Sequence, residues 1–307
     1  MFGPAYLALL HSGELEDRVQ AAYRRLEACD ICPRRCGVNR RQDEPGACHT
    51  GEHAIVSSVG PHFGEEAPLV DHGGSGTIFF TWCNLHCQYC QNDAISQLGE
   101  GEPASPQSIA DGMLALQRGG CHNINLVSPT HVVPQILAAT LLAAEGGLRI
   151  PLVYNSGGYD SLETLALLDG VVDIYMPDMK YADAAVAERY SQVRDYPAVN
   201  QAAVREMHRQ VGDLAVDERG IAQCGLLVRH LVLPDRLAGT AEVVRFLAAL
   251  SPDTYLNIMD QYRPCYKAFS LPPLDRRVSA AEYQEAVRLA HEVGLYRLDD
   301  RVRLRWI

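Results

Sequence analysis

The sequence lacks the features that would direct it to nucleic acid or to a membrane. Its 27 lysines and arginines are outnumbered by 38 acidic residues, and the net charge of −11 argues against nonspecific binding of nucleic acid or anionic lipid. No apolar stretch reaches the roughly 20 residues of a membrane span. The apolar beginning of the chain, Met1 to Leu10, carries no basic segment, so no signal peptide is predicted. We therefore expect a cytoplasmic protein that binds neither nucleic acid nor a membrane.

Internal repeats and low-complexity tracts are also missing. With 307 residues, of which 47% are hydrophobic, the chain is long enough for one large domain or two ordinary ones. The prediction divides it into residues 1–75, an amino-terminal helix with a cysteine-rich, metal-binding extension, and residues 76–307, a main domain that ends in a helix.

Cysteine, in contrast, is abundant. Ten cysteines in a chain without secretory features indicate metal binding or catalysis rather than a disulfide framework. Cys83, Cys87 and Cys90 form a C-x3-C-x2-C motif directly after an apolar run, and the next cysteine is Cys121. Thiolates ligate [4Fe–4S] clusters, and three ligands leave the fourth iron open to a small molecule. A structural zinc site would need four closed ligands, so the spacing favours a catalytic cluster.

A second group of cysteines lies near the amino terminus. Cys29, Cys32, Cys36 and Cys48 are spaced C-x2-C-x3-C-x11-C. Four thiolates can close a tetrahedral zinc site, and the same ligands can hold a second iron–sulfur cluster. Both alternatives remain open.

Strands and helices alternate through most of the chain, which predicts parallel pairing. Strands are predicted at Thr77–Thr81, Asn123–Val127, Leu152–Asn155, Val172–Met176, Leu226–Val232 and Tyr255–Met259. Helices are predicted at Glu14–Ala28, from Ser105-Pro106 onward, and at Val132–Ala144, Ser161–Leu168, Ala182–Gln192, Ala198–Val211, Ala241–Leu250 and Ala280–Val293. A hairpin is expected at Leu214–Gln223. Six strand–helix units are fewer than the eight of a full barrel, so we predict an α/β fold, an open (β/α)6 partial TIM barrel; a doubly wound sheet is the alternative.

Polar side chains follow the predicted strands at one end. Ser128 and Thr130 follow the second strand, and Asn155 and Ser156 end the third. Asp178 and Lys180 follow the fourth strand, while the fifth carries Arg229 and Leu231. Because active sites in parallel α/β folds lie at the carboxyl ends of the strands, we expect one shared pocket. Taken singly, Asn155 is typical of a turn, and Lys180 with Asp178 is typical of a solvated ion pair on a loop. Arg229 lies inside an apolar strand, so its charge needs a partner or a cavity.

The cysteine motif, with Tyr89 before its last cysteine, resembles that of the radical S-adenosylmethionine (SAM) superfamily. In that superfamily the open iron is chelated by SAM, and one electron cleaves SAM to methionine and a 5′-deoxyadenosyl radical. The chain is most similar to the activating-enzyme branch, typified by the pyruvate formate-lyase activating enzyme. Three segments carry this likeness: Cys-Gly-Val-Asn-Arg at 36–40, Gly-Pro-His-Phe-Gly-Glu-Glu at 60–66 and Asn-Ile-Met-Asp-Gln-Tyr-Arg-Pro at 257–264.

The resemblance implies roles for the pocket residues. The backbone of Tyr89 meets the adenine, and Ser128 and Thr130 match the loop that receives the SAM amino group. Asn155 and Ser156 match the position near the ribose and carboxylate. Roles in SAM binding also follow for the residues of the fourth and fifth strands, namely Asp178, Lys180, Arg229 and, for adenine packing, Leu231.

The leading hypothesis is therefore an iron–sulfur enzyme that cleaves SAM and abstracts hydrogen from a substrate. The resemblance implies a glycine in a partner protein of the glycyl-radical-enzyme kind, another peptide residue or a small molecule, with flavodoxin or ferredoxin as electron donor. The alternatives are a non-catalytic iron–sulfur protein that transfers electrons or senses redox state, and a metal-stabilised interaction module.

Overall fold

A parallel sheet forms the centre of the molecule. The computed structural model describes residues 3–299; the outer limits of the predicted division, residues 1 and 307, lie outside this range. Six strands pair in parallel and in chain order. They are β2 (Ser75–Phe80), β4 (Ile124–Val127), β5 (Leu152–Ser156), β6 (Ile174–Pro177), β8 (Ala222–Leu231) and β9 (Tyr255–Met259). The predicted strands are all present, with ends that differ by a few residues.

Three antiparallel strands extend this sheet. β1 (Ala54–His62) pairs with β2 and β3 (Glu102–Ala104) with β1, while β7 (Ala215–Val216) forms the expected hairpin with β8. Since β1 occupies the outer edge of β2, the sheet cannot close by pairing β2 with β9. The order also runs in one direction without the reversal that defines a doubly wound sheet. An α/β fold with a mostly parallel sheet is confirmed and is consistent with a partial barrel, whereas the six-unit barrel, the extension and the division at residue 75 stay predictions.

Helices connect the strands and cover the sheet. They are α1 (Tyr6–Ser12), α2 (Glu14–Arg24), α3 (Asp93–Ser96), α4 (Pro106–Arg118), α5 (Val133–Glu145), α6 (Leu162–Leu168), α7 (Ala184–Ser191), α8 (Tyr196–Val211), α9 (Thr240–Leu250) and α10 (Ala280–Glu292). Ser105 caps α4 by accepting a hydrogen bond from the Ser108 N–H, with Pro106 in the first turn, as the sequence predicts. Within residues 3–299 no helix is long and apolar enough to cross a membrane.

The amino-terminal region differs from prediction in two places. Helix α1 is not predicted, and it is held by the Tyr6 hydroxyl, which donates to the Ile150 carbonyl at 3.0 Å. Helix α2 ends at Arg24, four residues earlier than expected. It stops because the following chain pairs with the cysteine-rich loop: the Leu26 carbonyl accepts from the Arg40 N–H at 2.9 Å, and the Cys29 N–H donates to the Val38 carbonyl at 2.9 Å.

The connection between β1 and β2 packs against the inner face of the sheet. Leu69 is fully buried in a cluster that includes Val153 of β5 and Leu227 of β8. Its carbonyl accepts a hydrogen bond of 2.8 Å from the Asn123 side chain, just before β4. This placement brings the preceding residue pair, Glu65 and Glu66, into the interior of the protein.

Candidate active site

The cluster loop follows β2 and is held rigidly. Trp82 adopts a positive φ of 68°, and its N–H donates to the Ile95 carbonyl at 2.9 Å. This sharp change of direction carries the chain from the sheet into the segment with Cys83, Cys87 and Cys90. A non-glycine residue with positive φ is uncommon, so the loop conformation is specified by its surroundings.

Each of the three thiols has a hydrogen-bond partner. The Leu85 N–H donates to Cys83 Sγ at 3.4 Å, the Ser191 hydroxyl donates to Cys87 Sγ at 3.0 Å, and Cys90 Sγ lies 2.9 Å from the Ser96 hydroxyl. Hydrogen bonds to sulfur tune the potential of an iron–sulfur cluster. No sequence pattern pointed to the two serines, because both come from separate helices.

Burial keeps two of these thiols, Cys83 and Cys90, protonated until a metal replaces the proton. It raises the pKa of Cys83 to about 12 and also raises the pKa of Cys90. Metal binding supplies the free energy for deprotonation. The loop therefore fits a cluster held by three thiolates.

A cavity of about 210 Å³ opens beside the loop and gathers most of the predicted SAM-binding residues. The lining includes Cys87, Cys90, Tyr89, Asp178, Lys180, Arg229 and Leu231, together with Gln91, Asn92, Met259 and Gln261. The cavity thus joins residues that are far apart in sequence, and it lies at the carboxyl ends of the parallel strands.

Charged side chains on one wall of the cavity form a compact network. Asp178 accepts from Lys180 Nζ at 2.6 Å and from Arg229 at 2.9 Å, and Arg229 also donates to Asn155 Oδ1 at 2.8 Å. Burial alone would raise the pKa of Asp178, but Arg229 and Lys180 outweigh it and hold this pKa below its usual value. Burial opposes the charge of Lys180, yet Asp178 raises the pKa of Lys180 above normal. All three groups therefore remain charged, with one more cation than anion.

Glu66 is a further carboxyl group next to this network. It accepts from Asn257 Nδ2 at 2.9 Å, and its Oε1 lies 3.9 Å from Arg229 Nε. Burial raises the pKa of Glu66 despite Arg229, and its Oε2 has no hydrogen-bond partner among residues 3–299. Glu66 and Asn257 lie in two of the segments that carry the family likeness. This likeness is the feature of the sequence that could have pointed to these two residues.

Two predicted residues point their hydroxyls to another carboxyl group. The side chains of Thr130 and Ser156 both donate to Asp160, at 2.7 Å each, and Tyr154 adds a bond of 2.9 Å. Burial raises the pKa of Asp160 despite these donors. Ser128 adopts a φ of 60°, and its N–H donates to the Asn155 carbonyl. These residues shape the strand ends, while their contacts with SAM stay predictions. Asp160 was missed because spacing does not show that Tyr154 and Ser156 of β5 and Thr130, from the turn after β4, all point their hydroxyls to it.

The amino-terminal cysteines lie beside the cluster loop. Cys29, Cys32 and Cys48 are buried, and Cys36, which is partly exposed, accepts from the Ala47 N–H at 3.3 Å. Burial, and then the nearby Cys48, Cys29 and Cys36, raise the pKa of Cys32 to about 12. Within residues 3–299 neither cysteine group, nor any other three Cys, His, Asp or Glu side chains, converges as it stands on a single metal ion.

Comparison with known proteins assigns the family. The Radical SAM superfamily model matches residues 77–218, which include the cluster loop and four strands of the parallel sheet. The chain is also 33% identical over 291 residues to an uncharacterized protein of Methanocaldococcus jannaschii, MJ0674, covering 92% of this chain and 79% of that relative. The protein belongs to the radical SAM superfamily. The superfamily implies a [4Fe–4S] cluster and SAM, and the hydrogen-bonded thiols beside a cavity lined by Lys180 and Arg229 fit both.

Solved structures support the fold of this radical SAM protein. A crystal structure of a radical SAM methyltransferase from Sphaerobacter thermophilus superposes with a TM-score of 0.50 at 15% identity. The match covers 72% of this chain and 64% of that structure, so the chain spans less than two thirds of its length. At this identity the likeness concerns the fold alone.

Proposed function

We propose that this radical SAM enzyme is of the activating-enzyme type and abstracts a hydrogen atom from a partner polypeptide or a small molecule. The observation that carries the proposal is the cavity in which the three-cysteine loop meets Lys180, Asp178 and Arg229. When bound, the cluster and SAM supply a 5′-deoxyadenosyl radical through one-electron cleavage of the sulfonium. A cytoplasmic location and an electron donor such as flavodoxin or ferredoxin belong to the same proposal.

The charges of the cavity support SAM binding in a defined orientation. Lys180 and Arg229 are the cations on this wall, and they suit a carboxylate such as that of the SAM methionine. Asp178 holds both cations in place at 2.6 and 2.9 Å. Tyr89 and Leu231 border the same space and suit the adenine.

The substrate assignment to a polypeptide glycine rests on the likeness of the segments at 36–40, 60–66 and 257–264 to the activating-enzyme branch. Arg40, Glu66 and Asn257 come from these segments. Arg40 donates to the His131 carbonyl, and Asn257 of β9 donates to the buried Glu66. A small-molecule substrate uses the same radical machinery, because the residues around the cavity orient SAM in either case.

The test is an anaerobic assay of the reconstituted protein. With dithionite and SAM we expect 5′-deoxyadenosine by chromatography, and a change in the electron paramagnetic resonance spectrum of the reduced cluster when SAM is added. Omitting the reductant is the control. A full, reducible cluster that neither cleaves SAM nor changes its spectrum would favour an electron-transfer or redox-sensing protein. Labelled candidate polypeptides and small molecules, added to an active sample, then separate the two substrate classes by hydrogen transfer into 5′-deoxyadenosine.

A further inference from the structure

Arg40 is a buried cation that lacks an anionic partner within the described chain. It is 1% exposed, its Nε donates to the Gly51 carbonyl at 3.1 Å, and one terminal nitrogen donates to the His131 carbonyl at 2.8 Å. The other terminal nitrogen is buried without a hydrogen-bond partner, and no carboxylate among residues 3–299 forms an ion pair with this arginine. A buried charge is costly unless it is paired, so the fold needs a negative group at this position.

The group that Arg40 faces is a thiol. The nitrogen that bonds to His131 also lies 3.8 Å from Cys29 Sγ. Cys29 belongs to the amino-terminal set with Cys32, Cys36 and Cys48, and all four are free of disulfides. A neutral thiol does not balance a guanidinium, whereas a metal-bound thiolate does.

A second guanidinium flanks the same loop. Arg34, two residues after Cys32, donates to the carbonyls of Asn84 and Gln192 at 2.9 and 3.0 Å. Its remaining nitrogen is buried without a partner, and no carboxylate of the described residues pairs with it. Arg34 therefore joins the cysteine-rich loop to the segment that carries Cys83.

The loop is also built for close packing around the sulfur atoms. Cys29 N–H donates to the Val38 carbonyl and Gly37 N–H to the Cys29 carbonyl, each at 2.9 Å, which folds the loop back on itself. A Cβ at Gly46 would lie only 3.0 Å from Cys36 Sγ, so glycine allows the second half of the loop to approach this cysteine. The Ala47 N–H already donates to the same sulfur.

We propose that Cys29, Cys32, Cys36 and Cys48 bind one metal centre as four thiolates and that Arg40 is a counter-ion of this centre. Binding releases the thiol protons and involves no change of oxidation state. Four thiolates around Zn²⁺ or around an oxidised [4Fe–4S] core leave a net double negative charge, and the guanidinium of Arg40 next to Cys29 offsets part of it. Zinc and the iron–sulfur cluster would both form a centre of four thiolates with a double negative charge, and metal analysis distinguishes the two.

The proposed centre supports the catalytic loop directly. His131, whose carbonyl accepts from Arg40, has its Nε2 2.9 Å from the Thr81 carbonyl, just before the cluster loop. His49, next to Cys48, packs on Trp82 with ring centroids 4.8 Å apart. Loss of the amino-terminal metal should therefore also disturb the residues that lead into Cys83.

The first experiment measures iron, zinc and acid-labile sulfide in the full chain carrying Cys83→Ala, Cys87→Ala and Cys90→Ala together. We expect either about one zinc per chain or about four irons with matching sulfide, and loss of this metal on adding Cys36→Ser. Cys121→Ala, at a buried cysteine outside both sets, is the control and should retain it. A folded triple variant without bound metal, isolated from cells and after anaerobic reconstitution, would overturn the proposal.

Alkylation of the native protein keeps the test independent of whether Cys36→Ser folds. Cys36 is the partly exposed member of the set. Mass spectrometry after iodoacetamide should show protection of Cys36 that a strong chelator abolishes. Equal labelling with and without chelator would contradict metal binding.

The counter-ion role has a signature that a purely structural arginine would not show. Arg40→Met should release the metal to a competing chelator about 10-fold faster, and Arg40→Lys should fall between it and the wild type. In the metal-free protein the substitution should no longer be unfavourable, because methionine at this position removes an unpaired buried charge. The stability of Arg40→Met should then equal or exceed that of the wild type. Destabilisation to the same extent with and without metal would reject the counter-ion role.

Discussion

Arg229 and Arg40 both lie beside cysteines, but their charges are balanced differently. The Arg229 side chain is 19% exposed and Arg40 is 1% exposed. Arg229 has Asp178 at 2.9 Å, Glu66 at 3.9 Å and the Asn155 amide oxygen at 2.8 Å. Arg40 has two carbonyls and the Cys29 sulfur. The site around Arg229 is therefore electrostatically organised before a ligand arrives, while the region around Arg40 is balanced only when its thiols are metal-bound.

This difference predicts separate behaviour for the two cysteine sets. Cys87→Ala should abolish SAM cleavage and remove the catalytic cluster, because only two thiolates remain in the loop. The amino-terminal metal should stay. Iron, zinc and 5′-deoxyadenosine measurements check this, with Cys121→Ala as the matched control. Cleavage of SAM by the Cys87 variant would show that the cluster lies elsewhere.

Arg229→Ala tests the site around Arg229, where the charged groups are paired before a ligand arrives. The Arg229 and Asp178 side chains are 19% and 14% exposed, so removing this arginine should cost up to about 3 kcal/mol, since Asp178 then keeps only Lys180. SAM cleavage should fall while the iron content stays at the wild-type level. Arg236→Ala, at an exposed ion pair, is the control and should change neither quantity. Loss of iron along with activity would assign Arg229 a structural role instead.

Asp173 extends the comparison to a carboxylate that has no cation partner among residues 3–299. Its partners are the N–H groups of Ala5 and Leu152, at 2.8 and 2.9 Å, and burial raises its pKa to about 7. The native state therefore holds the Asp173 proton more tightly than the unfolded chain does. Its contribution to stability is greatest below the ordinary carboxyl pKa and falls as the pH rises to about 7.

The measurement compares urea unfolding of the wild type and Asp173→Asn at about pH 4 and about pH 8. The wild type should lose stability relative to the variant across this window, by up to a few kcal/mol. The control is Asp217→Asn, at an exposed turn residue whose pKa is lowered by backbone N–H groups; relative to this variant the wild type should not show the same loss. If the free energy of unfolding changed with pH in the same way for the wild type and Asp173→Asn, this would contradict a raised pKa of Asp173.

The smallest expected effect comes from removing a neutral hydroxyl group, whose dipole acts on a cysteine sulfur, rather than a charged side chain. Ser191→Ala removes the hydroxyl that donates to Cys87 Sγ at 3.0 Å. The reduced cluster carries more negative charge than the oxidised one, so it gains more from this hydrogen bond. Without the hydroxyl, the reduction potential of the cluster should become more negative. A redox titration followed by electron paramagnetic resonance measures this, with the exposed Ser270→Ala as control. An unchanged potential would mean that the Ser191 hydroxyl donates elsewhere.

Much of the site could be predicted from local patterns. The three cysteines, the strands that precede Asn155 and Asp178, and the position of Arg229 in an apolar strand follow from spacing and from hydrophobic runs. The parallel order then places the strand ends together, and five of the nine predicted SAM-binding residues line the cavity. Ser128, Thr130, Asn155 and Ser156 belong to the same strand ends, but no rule of spacing shows where a hydroxyl points.

The sequence by itself determined the spacing of the cysteines and the alternation that builds the sheet, because both depend on neighbours a few residues apart. Only the tertiary structure decided that Thr130 and Ser156 turn to Asp160, that Glu66 reaches Asn257, and that Arg40 is buried against Cys29. These contacts join separate elements, and their energies depend on burial. A charge or hydroxyl that would be solvated on a surface must find a partner once packing has removed water.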